Sequence, residues 1–92
     1  MKVEVKFIGA TKILAGINEA VLYIDGEPTV KEVLALVNQE YLKHKLLDKN
    51  GRVAYPCIIG VNGKMIRNCA TDLYERLSGN ATIVFSPPPA GG

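Results

Sequence analysis

The sequence closes on Ser86-Pro87-Pro88-Pro89-Ala90-Gly91-Gly92, and what such a segment offers chemically is a carboxylate on a narrow arm. Pro87, Pro88 and Pro89 lack backbone N–H groups, so they cannot prolong a sheet ladder and they favour polyproline II. At a rise of about 3.1 Å per residue, residues 87–92 reach roughly 20 Å from the body that carries them. Ala90, Gly91 and Gly92 add almost no side-chain bulk, and glycine admits close backbone approach. A tip of this kind enters channels closed to larger residues. The carboxylate that Gly92 would present is a poor electrophile, so its activation must come from elsewhere.

Nothing else in the chain supplies that activation. His44 is the one histidine, and no motif pairs it with a cysteine or serine as a nucleophile and base. Cys57 and Cys69 are not in CxxC spacing, and with a single histidine no zinc set assembles, so no metal is expected. Gly60 and Gly63-Lys64 have the wrong spacing for a phosphate-binding loop, and no Ser or Thr follows Lys64. The chain is therefore expected to present a group for a partner to work on and to have no catalytic set of its own. Taken alone, the tail also fits a frayed end or a short proline-rich ligand segment.

The 92 residues suit one domain, read here as a body over residues 1–86 and a tail over 87–92. Lys43, Lys45, Lys49 and Arg52 gather in one region, but no stacking aromatics interleave with them. They read as solvated surface, and no nucleic-acid partner is expected. The sequence enters a strand pattern at once, with no apolar leader core and no bilayer-length apolar run. A cytoplasmic location with reduced cysteines, and no membrane partner, is expected.

Residues 2–8 alternate, with Val3, Val5 and Phe7 against Lys2, Glu4 and Lys6, which predicts a half-buried strand. Residues 9–18 read as a connection and residues 20–24 as a second strand. Thr29 with Glu32 three residues on is a capping box, and the stripe Val30, Val33, Leu34, Val37 and Tyr41 predicts a helix over about 30–45. A third strand is expected within residues 54–61, with Pro56 marking it as an edge strand or standing at its start. Asn62-Gly63 then predicts a tight hairpin into residues 64–66. Residues 67–80 read as a connection with a helical turn near Leu73, and residues 81–85 as the last strand. This ββαβββ order predicts an α+β sheet with one helix across a face, its first and last strands parallel.

That order, the Val61-Asn62-Gly63 turn and the final Val84-Phe85 followed by prolines and Ala-Gly-Gly resemble the MoaD/ThiS sulfur-carrier family over nearly the whole chain. The closest likeness is to the small subunit of molybdopterin synthase. The resemblance implies a ubiquitin-like β-grasp: a mixed sheet of about five strands, one main helix packed on one face and an extended C-terminal tail. It further implies that a ubiquitin-activating-type enzyme uses ATP to adenylate Gly92, and that sulfur from a donor converts it to a thiocarboxylate. Residues 87–91 (Pro87, Pro88, Pro89, Ala90 and Gly91) would insert into the synthase large subunit, where the sulfur passes to the precursor of molybdopterin, the pterin of the molybdenum and tungsten cofactors. No cofactor stays bound to the carrier. By the same resemblance Ile8, Lys12, Ile66 and Phe85 fall where partner-contact residues stand. Two other outcomes of the same activation are conjugation of Gly92 to target-protein lysines, and sulfur carriage to thiamine or tRNA. Pro89, Ser86 and a long 43–57 segment depart from the family pattern.

Overall fold

The computed structural model describes residues 1–67 and 71–88. Strand β1 (Lys2–Phe7) is followed by a short helix α1 (Ala10–Ala15), β2 (Glu19–Tyr23), the main helix α2 (Val30–Glu40), β3 (Ile58–Val61), β4 (Lys64–Met65), a 3-10 turn (Asp72–Tyr74) and β5 (Ala81–Ser86). The strands form one sheet in the order β2-β1-β5-β3-β4. The middle pair β1 and β5 is parallel, with Val5 opposite Ile83, and the remaining pairs are antiparallel. Parallel pairing follows from the long crossover between the first and last strands, in which α2 lies. The sheet is thus mixed, and with one main helix it has the ubiquitin-like β-grasp architecture that the resemblance implied.

Alternation decides which face is covered. Val3, Val5 and Phe7 of β1 and Ala81, Ile83 and Phe85 of β5 are buried, and they join Val30, Val33, Leu34 and Val37 of α2 in a single apolar cluster. Lys6 and Val84, paired across the parallel ladder, belong to the other set. A helix whose apolar stripe matches the apolar face of a sheet is how a domain this small closes a core.

The helix starts where its caps dictate. Thr29 Oγ1 accepts the Glu32 N–H at 3.2 Å, and the Thr29 N–H donates to Glu32 Oε1 at 3.4 Å. Thr29→Ala is expected to cost about 1 kcal/mol, read as a lower urea midpoint at constant slope. An unchanged midpoint would show that packing alone sets this end of the helix.

Three elements differ from the sequence reading. The helix ends at Glu40 and not near 45, because Lys43 and His44 turn left-handed with φ of 53° and 61°. The reversal is held by Asn38, whose carbonyl oxygen accepts the His44 N–H and whose side-chain oxygen accepts those of Leu46 and Leu47. It brings Leu42 and Leu46 wholly into the core, which offsets the cost of two non-glycine residues at positive φ. Residues 9–18 hold α1, closed by Gly16 in the left-handed region. The third strand begins only at Ile58, because Ala54 and Tyr55 donate their N–H groups to the Leu46 carbonyl. Pro56 therefore lies ahead of the strand. The long 43–57 segment is folded back on itself: Asp48 accepts the Asn50 and Arg52 N–H groups at 2.8 and 3.0 Å, and the Arg52 bond chiefly holds its carboxyl below the ordinary range.

The hairpin stands as read. Asn62 and Gly63 take φ of 52° and 82°, as a type I′ turn requires. Among the described residues no helix is long and apolar enough to cross a membrane.

Candidate functional site: the root of the tail

Strand β5 runs through the middle of the sheet and delivers the chain to Pro87 and Pro88, which are exposed. Pro89, Ala90, Gly91 and Gly92, which carry most of the expected tail, lie outside the described residues, as does Cys69. The site is therefore built from the residues that launch the tail.

The Phe85 carbonyl, one residue before the end of β5, accepts the Ile8 N–H at 2.8 Å and lies 3.3 Å from Thr11 Oγ1. The same hydroxyl donates to the Ile8 carbonyl at 2.8 Å. Thr11 is 1% exposed, the one buried polar side chain among the described residues, so this hydroxyl spans two segments far apart in sequence with no competition from water. Gly9, between them, has φ 68° and ψ −132°, a backbone state open in practice to glycine alone. A Cβ placed there would stand 3.2 Å from both Cδ and Cγ of Pro87. Gly9 is thus the spot on which the first tail proline sits.

The expected partner residues divide. Ile8 follows β1 directly and is 48% exposed beside the tail root, and Lys12 is exposed on α1. Ile66 is half-buried against the core, its N–H bonded to Ile59 at the β3–β4 edge, two strands away from β5. Phe85 corrects the sequence reading. Its ring is wholly buried and stacks on Phe7 at a centroid distance of 5.7 Å and an interplanar angle of 7°, so its side chain offers nothing to a partner. The strand's alternation is the reason: Ala81, Ile83 and Phe85 face inward together. The outward positions beside Phe85 are Val84, paired with Lys6 and Gly60, and, on β3, Ile58, paired with Ser86.

Cys57 stands next to Ile58, the ladder partner of Ser86 at the end of β5. Burial pushes the Cys57 thiol up, which disfavours its thiolate. His44 is exposed at the left-handed turn after α2. An open groove of about 450 Å³, lined by Val61, Ile66, Arg76 and Leu77 among others, lies beside the β3–β4 hairpin and takes in no residue of the tail root. What the site can do is fix where the segment after β5 leaves the sheet.

No family model and no curated protein matches the chain. Solved structures do. The crystal structure of small archaeal modifier protein 1 from Haloferax volcanii superposes with a TM-score of 0.78 at 20% identity, each chain covered in full. The solution structure of the Methanosarcina acetivorans small archaeal modifier protein 1 gives 0.74 at 26%, covering 99% of this chain and 96% of that one. A subunit of the Helicobacter pylori molybdopterin-converting factor, solved as a complex of its subunits 1 and 2, gives 0.62 at 28% over the whole of both chains. The chain shares the ubiquitin-like β-grasp fold of these modifier and molybdopterin-converting-factor proteins. Like those neighbours it is a small sheet-and-helix body, and its last described strand runs into Pro87 and Pro88.

Proposed function

We propose that this chain is the small, sulfur-carrying subunit of a molybdopterin synthase. A ubiquitin-activating-type enzyme in the cytoplasm uses ATP to adenylate Gly92, expelling pyrophosphate. Sulfur from a donor then displaces AMP and leaves a thiocarboxylate. The tail carries that sulfur into the synthase large subunit, and the chain itself binds no cofactor and serves as cosubstrate. The observation that carries this reading is the launch of Pro87 and Pro88 from the central strand β5, at a root fixed to Thr11 and Gly9. Likeness at 28% identity to a protein solved as part of a two-subunit molybdopterin-converting factor supports the choice of acceptor.

A second reading shares the activation step. Two of the neighbours are small archaeal modifier proteins, which favours conjugation of Gly92 to lysines of target proteins. The deciding experiment is the mass of the C-terminal peptide from protein taken out of its own cells, together with a search for branched lysines. Exchange of one oxygen for sulfur supports the carrier. Branches without a thiocarboxylate make the chain a modifier. If both are missing, the purified chain is incubated with ATP, the activating enzyme and a sulfur donor, and a second blank sinks the carrier reading.

A further inference from the structure

The sheet ladder ends at Ser86, and the next two residues are prolines with no N–H to continue it. Backbone hydrogen bonding therefore cannot set the direction in which the tail leaves. Yet direction matters, because residues 87–92 at a polyproline II rise would span roughly 20 Å, and a change of about 10° at the root would then move the tip by roughly 3.5 Å. Something beside the ladder has to fix the angle, and the described residues contain one set of contacts placed to do so.

Resting on the carrier reading above, we infer that Gly9 and Thr11 form a collar that aims the tail for capture by the activating enzyme, acting as positioning residues for the adenylation of Gly92. Thr11 locks the strand end from one side. Its hydroxyl lies within reach of the Ile8 and Phe85 carbonyls at 2.8 and 3.3 Å, while the Ile8 N–H holds the same Phe85 carbonyl at 2.8 Å. The Ile8–Phe85 backbone bond and the pairing of Ser86 with Ile58 hold the strand end from its two sides; the Thr11 hydroxyl, buried and shielded from water, adds a tie where the tail starts. Gly9 supplies the seat. With no Cβ it lets the Pro87 ring rest on the backbone, where a side chain would come within 3.2 Å of two ring carbons. Pro87 in turn has its own φ locked near −65°, so a seated ring passes its orientation on to the residues that follow.

A purely structural role for these residues would lower stability and leave the folded protein's kinetics alone. The aiming role makes a different demand. Once the tip is inside the activating enzyme, the channel holds it, so chemistry at the carboxylate is unaffected. What a pre-aimed tail reduces is the ordering cost of insertion. The effect belongs in KM and not in kcat.

The experiment is ATP–pyrophosphate exchange with the activating enzyme and varied concentrations of the full chain, for wild type, Thr11→Val, Thr11→Ser, Gly9→Ala and Pro87→Ala. Thr11→Val keeps the shape and removes the hydroxyl; Thr11→Ser keeps the hydroxyl. Expected are KM values raised about 5- to 10-fold in Thr11→Val, Gly9→Ala and Pro87→Ala, kcat within about twofold, and wild-type behaviour in Thr11→Ser. A second, enzyme-free readout is the proton cross-relaxation between Gly9 and Pro87, expected to be strong in wild type and Thr11→Ser and weak in Thr11→Val. Pro87 is exposed, so the Pro87→Ala variant stays folded and interpretable even where a Thr11 or Gly9 variant does not. Unchanged KM in folded variants, or equal Gly9–Pro87 cross-relaxation in Thr11→Val and wild type, overturns the collar. Absence of exchange with the wild-type chain overturns the carrier reading instead, and the cross-relaxation comparison then decides the collar by itself.

Discussion

Removal of Gly92 is expected to lower ATP-dependent activation of the chain end by at least about 100-fold and to leave the melting temperature where it was. The size follows from geometry. One residue fewer withdraws the carboxylate by about 3.3–3.6 Å along an extended tail. Misplacing a reacting group by even about 1 Å is enough to cost a factor of 10². Side chains on the sheet cannot restore the reach, because the tail is tethered to the root at Phe85 and Gly9. Stability is spared for a separate reason. Among the described residues the last core side chain is Phe85, the ladder stops at Ser86, and Pro87 and Pro88 are exposed. Pyrophosphate exchange and a thermal melt on the same preparation read the two effects. Activity within a few-fold of wild type would mean that the carboxylate at this position is not the reacting group. A chain that binds its partners equally well with and without Gly92 would be a non-covalent binding module.

How much of this was legible in the sequence depends on the range of the interaction that fixes each element. Alternation in residues 2–8, the Thr29–Glu32 box and the Asn62-Gly63 turn are local, and each appears as read. The helix end is not local. Only after Asn38 has captured the backbone of His44, Leu46 and Leu47 does the left-handed turn make sense, and no glycine marks the place. Helix α1 is six residues long, too short for a periodicity to emerge. At the site the same division holds. Ile8 is placed on a partner face by the resemblance, and it lies exposed beside the tail root. The role of Thr11 could not be read, because the carbonyl it reaches lies 74 residues away in sequence, and Gly9 shows its use only once Pro87 is seated on it. A tail motif is read from sequence; the device that aims it exists only in the fold.

Phe85 offers the sharpest test of where sequence and structure part. Placed on a partner face, as the family pattern implied, its truncation would weaken binding and leave stability intact. Buried as it is, with 0% exposure, Phe85→Ala is expected to cost about 3–5 kcal/mol. Part of that loss is the ring stack on Phe7, which itself lies 5.9 Å from the Tyr41 ring, and such aromatic pairs add about 0.5–1.5 kcal/mol beyond area alone. The rest is a cavity between β5, β1 and the chain that follows α2, which a rigid sheet cannot close. Against the 5–15 kcal/mol typical of small domains, the loss removes a large share of the total. Urea denaturation reads it as a fall in midpoint at constant slope. Phe85→Leu, which keeps most of the volume, should lose far less. A loss below about 1 kcal/mol in Phe85→Ala would return the ring to the surface and restore the partner-contact role. The full loss would fix a different division of labour on the last strand. Its inward residues hold the sheet to the core, its outward residues Val84 and Ser86 lie on the other face, and the Phe85 carbonyl is where the core meets the proposed collar at Thr11.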